Sequence, residues 1–265
     1  MTTILLISAT AFGVSLLTLF SGFGLGTLLM PVFALFFPIE VAVASTAVVH
    51  AANNLFKVGI LARGASRDVV VRFGLPAVAA SFLGALLLAG LADQPTLVRW
   101  SLLGRDAEIT PVKLVMGLLI LAFSAFELMP ALRALRAPVR WLPWGGALSG
   151  FFGGLSGHQG ALRAAFLTSV GLTPTQFVAT QAVLALLVDA ARLVVYGWAL
   201  SGAGLGGGDA HDPIPWALVG FATASAFAGA YLGKRLLPKL TLEGLHWLIG
   251  GLLLVVGAAL AMGVA

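Results

Sequence analysis

The chain has 265 residues, 60% of them hydrophobic and only 9% charged, with a mean hydropathy of +1.04. A soluble domain carries about 25% charged residues, so this composition cannot furnish a water-facing surface, and lipid must cover most of the molecule. The net charge of +5 and pI near 10.2 do not mark a nucleic-acid binder, because the basic residues fall in short clusters between apolar runs rather than on one face.

In chain order, Met1-Thr2-Thr3 carries no positive charge and the stretch behind it has no clear cleavage site, so a removable signal peptide is not expected. The first apolar run covers residues 4–37. As one helix it would be about 50 Å long, too long for a single crossing of a bilayer core about 30 Å thick, while two crossings with a turn would need about 40 residues. It is interrupted at Gly22-Phe23-Gly24-Leu25-Gly26. Membrane segments are expected next at 40–62, 69–91 and 112–130. A second long run at 142–171 is interrupted between Gly153 and Gly160, and segments at 174–200, 214–236 and 243–263 follow. Pro38, Pro174 and Pro215 stand at segment starts, where a missing N–H costs little. The stretch Gly202 to Pro213 is the one long polar loop.

The second half repeats the first at an offset of 135 residues. Ser21-Gly22 recurs as Ser156-Gly157, Ala47-Val48 as Ala182-Val183, and Asn54 and Lys57 have Asp189 and Arg192 as counterparts. The expected fold is therefore an all-α polytopic membrane protein of two homologous halves, residues 1–135 and 141–265, with broken or re-entrant helices at the start of each. Irregular backbone at membrane depth is tolerated only inside protein or along a cavity; the alternative is a tilted helix kinked by packing glycines.

Loop charges test the topology. Arg63, Arg67 and Arg72 form one basic cluster, Arg133, Arg136 and Arg140 a second, and Lys234, Arg235 and Lys239 a third. The loop after the third segment mixes signs, and the glycine-rich loop carries only Asp209 and Asp212. If each broken run returns to the side it entered from, all three clusters lie inside, both termini lie outside, and the halves are inverted. If each run crosses once, the clusters split between the two sides.

The breaks are the first candidate site. A half-helix starting within the membrane presents unpaired N–H groups and a partial positive charge to the cavity, a ready site for an anion. Gly24, Gly26 and Thr27 would supply one such end, and Gly157, His158, Gln159 and Gly160 the other. Arg163 falls in the first turn after Gly160, where a cation opposes the helix dipole unless an anion or carboxylate is near. For the glycines alone, helix packing is the competing explanation.

Polar residues in the following segments form the second candidate set. His50, Asn54 and Lys57 share a helix face, and Asp189 and Arg192 are spaced to pair with each other. Ionisable groups near the bilayer centre cost at least ~2.5 kcal/mol and face a bundle interior or a water path. Asp189–Arg192 can equally be a structural ion pair, and Lys57 can snorkel toward the basic loop. Thr46 and Gln181 can line the same cavity as neutral donors. His50, Asp189 and Arg192 are candidates for coupling or gating, with His50 the natural proton relay. Glu127 and His246 read as interfacial residues. Asp209, His211 and Asp212 read as a solvated turn, so no metal site or other cofactor is expected. With no cysteine, thiolate sites and thiol catalysis are excluded, and no nucleotide-binding loop or hydrolase motif is present.

Gly22-Phe23-Gly24-Leu25-Gly26-Thr27 leading to Pro31, followed by Ala44-Ser45-Thr46, resembles the first half-motif of the TauE/SafE sulfite exporter family. Gly150 to Gly160, followed by Phe177-Val178-Ala179-Thr180, resembles the second. The resemblance covers most of the chain. It implies a multi-pass permease of a prokaryotic cell membrane that moves a small sulfur oxyanion or organosulfonate, driven by an ion gradient. Its partners would be the anion, a coupling proton or sodium ion and the bilayer, with no nucleic acid; a homo-oligomer stays open. The second half-motif departs from the family pattern, with His158-Gln159 where glycines often stand and Arg163-Ala164 where a proline often follows. Competing readings are a carrier of a cation or neutral solute, an accessory subunit without transport activity, and a membrane-embedded enzyme, for which no nucleophile or metal spacing is present.

Overall fold

In the computed structural model the described residues are 2–21, 25–61, 64–102, 105–199, 214–236 and 242–264. Helices dominate. The first half comprises α1 (Thr2–Ser21), α2 (Gly26–Ala34), α3 (Ile39–Leu61), α4 (Arg67–Ala92) and α5 (Pro111–Leu128), and the short α6 (Pro130–Arg133) begins the linker. The second comprises α7 (Leu142–Ser156), α8 (Gly160–Leu167), α9 (Pro174–Trp198), α10 (Trp216–Leu236) and α11 (Leu242–Ala261). Among the described residues, α3, α4, α5, α9 and α10 contain stretches long and apolar enough to cross a membrane. The chain is thus an all-α polytopic membrane protein, as its composition demanded.

Local sequence explains where the helices begin. Thr173 caps α9 by accepting from the Gln176 N–H while the Gln176 side chain accepts from the Thr173 N–H, with Pro174 in the first turn. Thr110 caps α5 through its hydroxyl alone, which accepts from the Lys113 N–H at 3.3 Å, ahead of Pro111. The outer surface is apolar: Leu75 is 68% exposed, Val194 66% and Leu248 67%, which only lipid can cover. All six tryptophans sit at helix ends or in the loop hairpin, and Trp144, Trp216 and Trp247 are exposed, as interfacial anchors are.

The second break is a re-entrant hairpin. α7 spans about 22 Å and α8 about 12 Å, so neither crosses the membrane. α8 folds back along α7: the Ser149 hydroxyl donates to the Gln159 carbonyl at 3.1 Å, and Gly145 lies under the Phe166 ring. The Ala137 N–H, ahead of α7, donates to the Ala165 carbonyl near the end of α8, so the pair returns to the face it left. A kinked single span is thereby excluded for this run. In the first run α1 and α2 pack on each other, but residues 22–24 of that break lie outside the described residues.

The helices of one half pack against those of the other in matching pairs. α4 lies along α7 and α1 along α10, both parallel: Gly146, Gly150 and Gly154 meet the Phe73, Ala77 and Ser81 carbonyls in register, and Gly229 and Gly233 meet those of Phe12 and Leu16. The equivalent helices α3 and α9 run antiparallel, with Asn54 at Asp189 and Gly64 at Thr175 and Ala179. α5 and α11 are also antiparallel, with Gly117 at Ala261 and the Ser124 hydroxyl donating to the Gly250 carbonyl at 2.8 Å. These directions put the starts of α4, α7 and α11 and the end of α5 on one face, which gathers Arg67, Arg72, Arg133, Arg136 and Arg140 there. One buried cluster runs through both halves, from Leu29 and Phe33 of α2 to Met116 of α5 and Leu253 of α11.

The mixed-charge loop is more ordered than its sequence suggested. It forms a hairpin of β1 (Val98–Leu102) and β2 (Arg105–Ile109), with Trp100 opposite Ala107. The Trp100 indole donates to the Met262 carbonyl at 3.0 Å and the Glu108 N–H to that of Gly263 at 3.1 Å, tying the loop to the end of α11. Residues 209–212, with the Asp-x-His-Asp cluster, lie outside the described residues.

Small residues replace side-chain interdigitation along α4 and α7, because apolar side chains gain nothing by leaving lipid for another helix. A methyl group at Gly150 would overlap the Ala77 carbonyl. Gly150→Ala should therefore destabilise the protein by about 1–3 kcal/mol, seen as a lower thermal midpoint in detergent. Gly220→Ala, which meets open space on α10, should leave that midpoint unchanged.

Candidate functional site

Gly157 ends α7 in the left-handed conformation at φ +81, which favours glycine, and Arg192 Nη1 lies 2.7 Å from where a Cβ would stand. At the end of α7 the Gly157 N–H donates to the Gly153 carbonyl at 2.9 Å and the later carbonyls lack a helical N–H, so side chains from α9 add to the cap. Arg192 Nη1 donates to the Gly153 carbonyl at 3.3 Å, and the Tyr196 hydroxyl donates to that of Gly154. A cation at a helix C-terminus also complements the dipole. Arg192 and Tyr196 thus cap the half-helix.

Arg192 is held in turn. Its Nε and Nη2 donate to Asp189 Oδ1 at 3.0 and 2.7 Å, and Asp189 Oδ2 accepts from the Asn54 amide at 3.0 Å and meets His50 Nδ1 at 2.7 Å. Asp189 and Arg192 are fully buried, His50 and Asn54 nearly so. The four residues form one network in which both Asp189 oxygens are engaged. It joins α3 of one half to α9 and the break of the other.

The other side of the break presents the start of α8. Gln159 is its N-cap residue but makes no side-chain cap bond, so the first-turn N–H groups after it lack a side-chain acceptor. Its side chain serves Arg163 instead: Gln159 Oε1 accepts from Arg163 Nη1 at 3.1 Å, and Gln181 Oε1 from Arg163 Nε at 2.5 Å. Both amide Nε2 atoms, together with Ser45 Oγ and Thr46 Oγ1, are buried without a hydrogen-bond partner among the described residues. Unpaired buried donors are costly, and an acceptor brought to them would relieve that cost.

The two breaks meet. A Cβ at Gly26, the first residue of α2, would stand 3.3 Å from the Gly157 carbonyl and 3.8 Å from Thr46 Cγ2. Leu25, ahead of α2, makes no side-chain cap bond either, so among the described residues two helix starts without an N-cap side chain lie at the same place. His158 stacks on Phe123 of α5, with ring centroids 5.3 Å apart, and its N–H donates to Ser156 Oγ at 3.3 Å. Lys57 is buried and within electrostatic reach of Arg163.

Of the residues singled out in the sequence, Gly26, Thr46, Gly157, Gln159, Gly160, Arg163 and Gln181 come together at the break, with Lys57 beside them. His50, Asn54, Asp189 and Arg192 form the adjoining network, and His158 holds the break against α5. Gly24 lies outside the described residues, and of Thr27 only the backbone is described. Tyr196 went unrecognised, although Asp189, Arg192 and Tyr196 share a helix face at spacings of three and four. Glu127 and His246 are not a pair of interfacial residues: Glu127 is 1% exposed and its Oε2 lies 2.9 Å from His246 Nδ1.

Among the described residues, the buried ions around the break are Lys57, Arg163 and Arg192 against the single carboxylate of Asp189. Positive charge is in excess even with His50 neutral. Helices broken within the apolar runs and an excess of buried positive charge where they meet, on a bundle with several membrane-length helices, define a multi-pass membrane protein. Residues 7–260 match the family described as "Sulfite exporter TauE/SafE", so the chain belongs to that family of membrane transport proteins. Among curated proteins and among solved structures, nothing matches the chain significantly.

The network predicts a stability cost. Asp189→Asn leaves Arg192 as a buried, uncompensated cation at the end of α7, and breaking such a pair costs about 3–5 kcal/mol. A matching fall in thermal midpoint is expected in the purified protein, and an unchanged midpoint would show that the pair does not hold the break.

Proposed function

We propose that this protein is a secondary transporter of a small anion, a sulfur oxyanion or organosulfonate such as sulfite, driven by an ion gradient. The observation that carries the reading is Arg163, buried in the first turn of a half-helix, oriented by two glutamines and facing no carboxylate of its own. A cation in that position opposes the helix dipole and carries a desolvation penalty, and an anion relieves both. Lys57 adds a second charge. The free Nε2 groups of Gln159 and Gln181, the Ser45 and Thr46 hydroxyls and the first N–H groups of α8 and α2 offer donors to its oxygens. A cation carrier would set like charge against Lys57 and Arg163.

The halves are read as inverted repeats. Antiparallel equivalents (α3 with α9, α5 with α11) support this, as do the basic residues gathered on one face, which the positive-inside preference makes cytoplasmic. The membrane is then the inner or only cell membrane of a prokaryote. The α7–α8 hairpin enters from the cytoplasmic side and its counterpart from the other, so the two breaks close one site from opposite directions. The His50–Asn54–Asp189–Arg192 network spans the halves and serves as the gate between them.

Purified protein in liposomes should take up radiolabelled sulfite or a small sulfonate. Arg163→Gln should abolish that flux while the protein stays folded, and Arg163→Lys should keep part of it, since lysine retains charge but not the two-glutamine geometry. Undiminished flux in Arg163→Gln would remove the residue from the site. Sulfite at a hundred times its Kd should also stabilise the wild type by about 2.7 kcal/mol, and the Arg163→Gln protein not at all.

A further inference from the structure

One buried carboxylate is not used by the anion site. Glu127 lies at the end of α5, at the face where Arg133, Arg136 and Arg140 gather, and is 1% exposed. Its Oε2 lies 2.9 Å from Nδ1 of His246 on α11, which is 13% exposed. His246 in turn lines a cavity of about 200 Å³ bounded by Phe126, Arg133, Arg136, Ala161 and Thr168. The imidazole therefore stands between an open cavity and a buried carboxylate. Arg133 is within electrostatic reach of Glu127, and its Nε is buried without a partner among the described residues.

The same cavity reaches the re-entrant segment. Ala161 and Ala164 in its wall flank Arg163 on α8, and Thr168 follows the end of that helix. On α5, Phe123 precedes Glu127 by one turn and stacks on His158 in the break. Any shift of α8 or of the break on anion binding thus moves a wall of the cavity and the α5 face that carries Glu127.

We propose that Glu127 and His246 form the site that takes up the coupling proton from the cytoplasmic side, an inference that rests on the anion-transport reading above. His246 takes up a proton arriving through the cavity, and the imidazolium so formed passes its Nδ1 proton to Glu127 Oε2, which leaves the imidazole neutral again and the pair with a single added proton. A proton fits better than a metal cation, because one carboxylate beside an imidazole and Arg133 lacks the several oxygens that a hard cation requires. It also fits Glu127 better than Asp189. Protonating Asp189 would release Arg192, His50 and Asn54 together and leave a fixed cation unpaired, whereas the partner of Glu127 is itself a titratable group. Among the described residues, the charged and titratable groups around Glu127 are His246 on α11, Arg133 on α6 and Arg136 beyond it, with His158 at the break and Arg163 on α8 farther along.

Two measurements test this, using protein in lipid. In liposomes, Glu127→Gln should lose sulfite uptake driven by a pH gradient and the accompanying proton flux read by a trapped pH dye, while sulfite exchange across the membrane without a gradient persists. Protein-free liposomes correct for protonation of sulfite itself. Gradient-driven uptake at the wild-type level in Glu127→Gln would overturn the assignment. Loss of exchange together with uptake would also overturn it, since that is the pattern of a binding or folding defect. Infrared difference spectra of the wild type between mildly acidic and mildly alkaline buffer should show a protonated-carboxyl band that Glu127→Gln lacks and His246→Gln shifts in pH. If no such band belongs to Glu127, the proposal falls, whatever anion the protein carries. If sulfite does not move in the wild type but the band titrates, the choice of substrate fails and the proton site stands.

Discussion

A helix that stops inside a membrane leaves its last carbonyls and first N–H groups with no water to bond, and this molecule is arranged around that constraint. The end of α7 is met by Arg192 and Tyr196, Arg192 is held by Asp189, and Asp189 by His50 and Asn54 on the other half. Capping one helix end thereby ties α3 to α9. The helix start that follows has no side-chain cap from its N-cap residue, Gln159, and on the transport reading proposed above that end is the one that meets the ligand.

Charge follows the same division. Asp189 is spent on the capping side, so Arg163 and Lys57 on the ligand side have no carboxylate of their own. Had a second acid stood near Arg163, the break would be a closed ion-pair cluster, stable and inert. Gln159 and Gln181 orient Arg163 through neutral oxygens, which steer the guanidinium without cancelling its charge. The other buried acid among the described residues, Glu127, stands apart from these cations, beside a histidine at the edge of a cavity. On the proposals above, that separation lets an anion site and a proton site coexist within one bundle.

Glycine does two unlike jobs here. Along α7 it is a packing residue, letting the backbone of α4 come close enough that the bundle needs no large side chains at that seam. At Gly157 it is a conformational residue, supplying the turn that a side chain would strain and clearing room for Arg192. The sequence shows the same letter in both places, so helix packing, the competing explanation, holds along α7, while Gly157 is required by the turn of the break itself.

Composition and run length alone settled that the chain is a helical membrane protein, because too few charges exist to face water and apolar runs of bilayer length must be buried in lipid. The two over-long runs and the repeat at a fixed offset located the breaks, and helical spacing paired Asp189 with Arg192 correctly, since those signals are local along the chain. Direction, contact across halves and the fate of each buried charge are not local. Only the tertiary structure decided that α8 turns back along α7, that Asp189 serves the cap rather than Arg163, and that Glu127 and His246, 119 residues apart, meet beside a cavity. Each depends on which helix faces which, and in lipid that choice is made by close backbone packing and hydrogen-bond satisfaction, terms that leave little periodic trace in the order of residues.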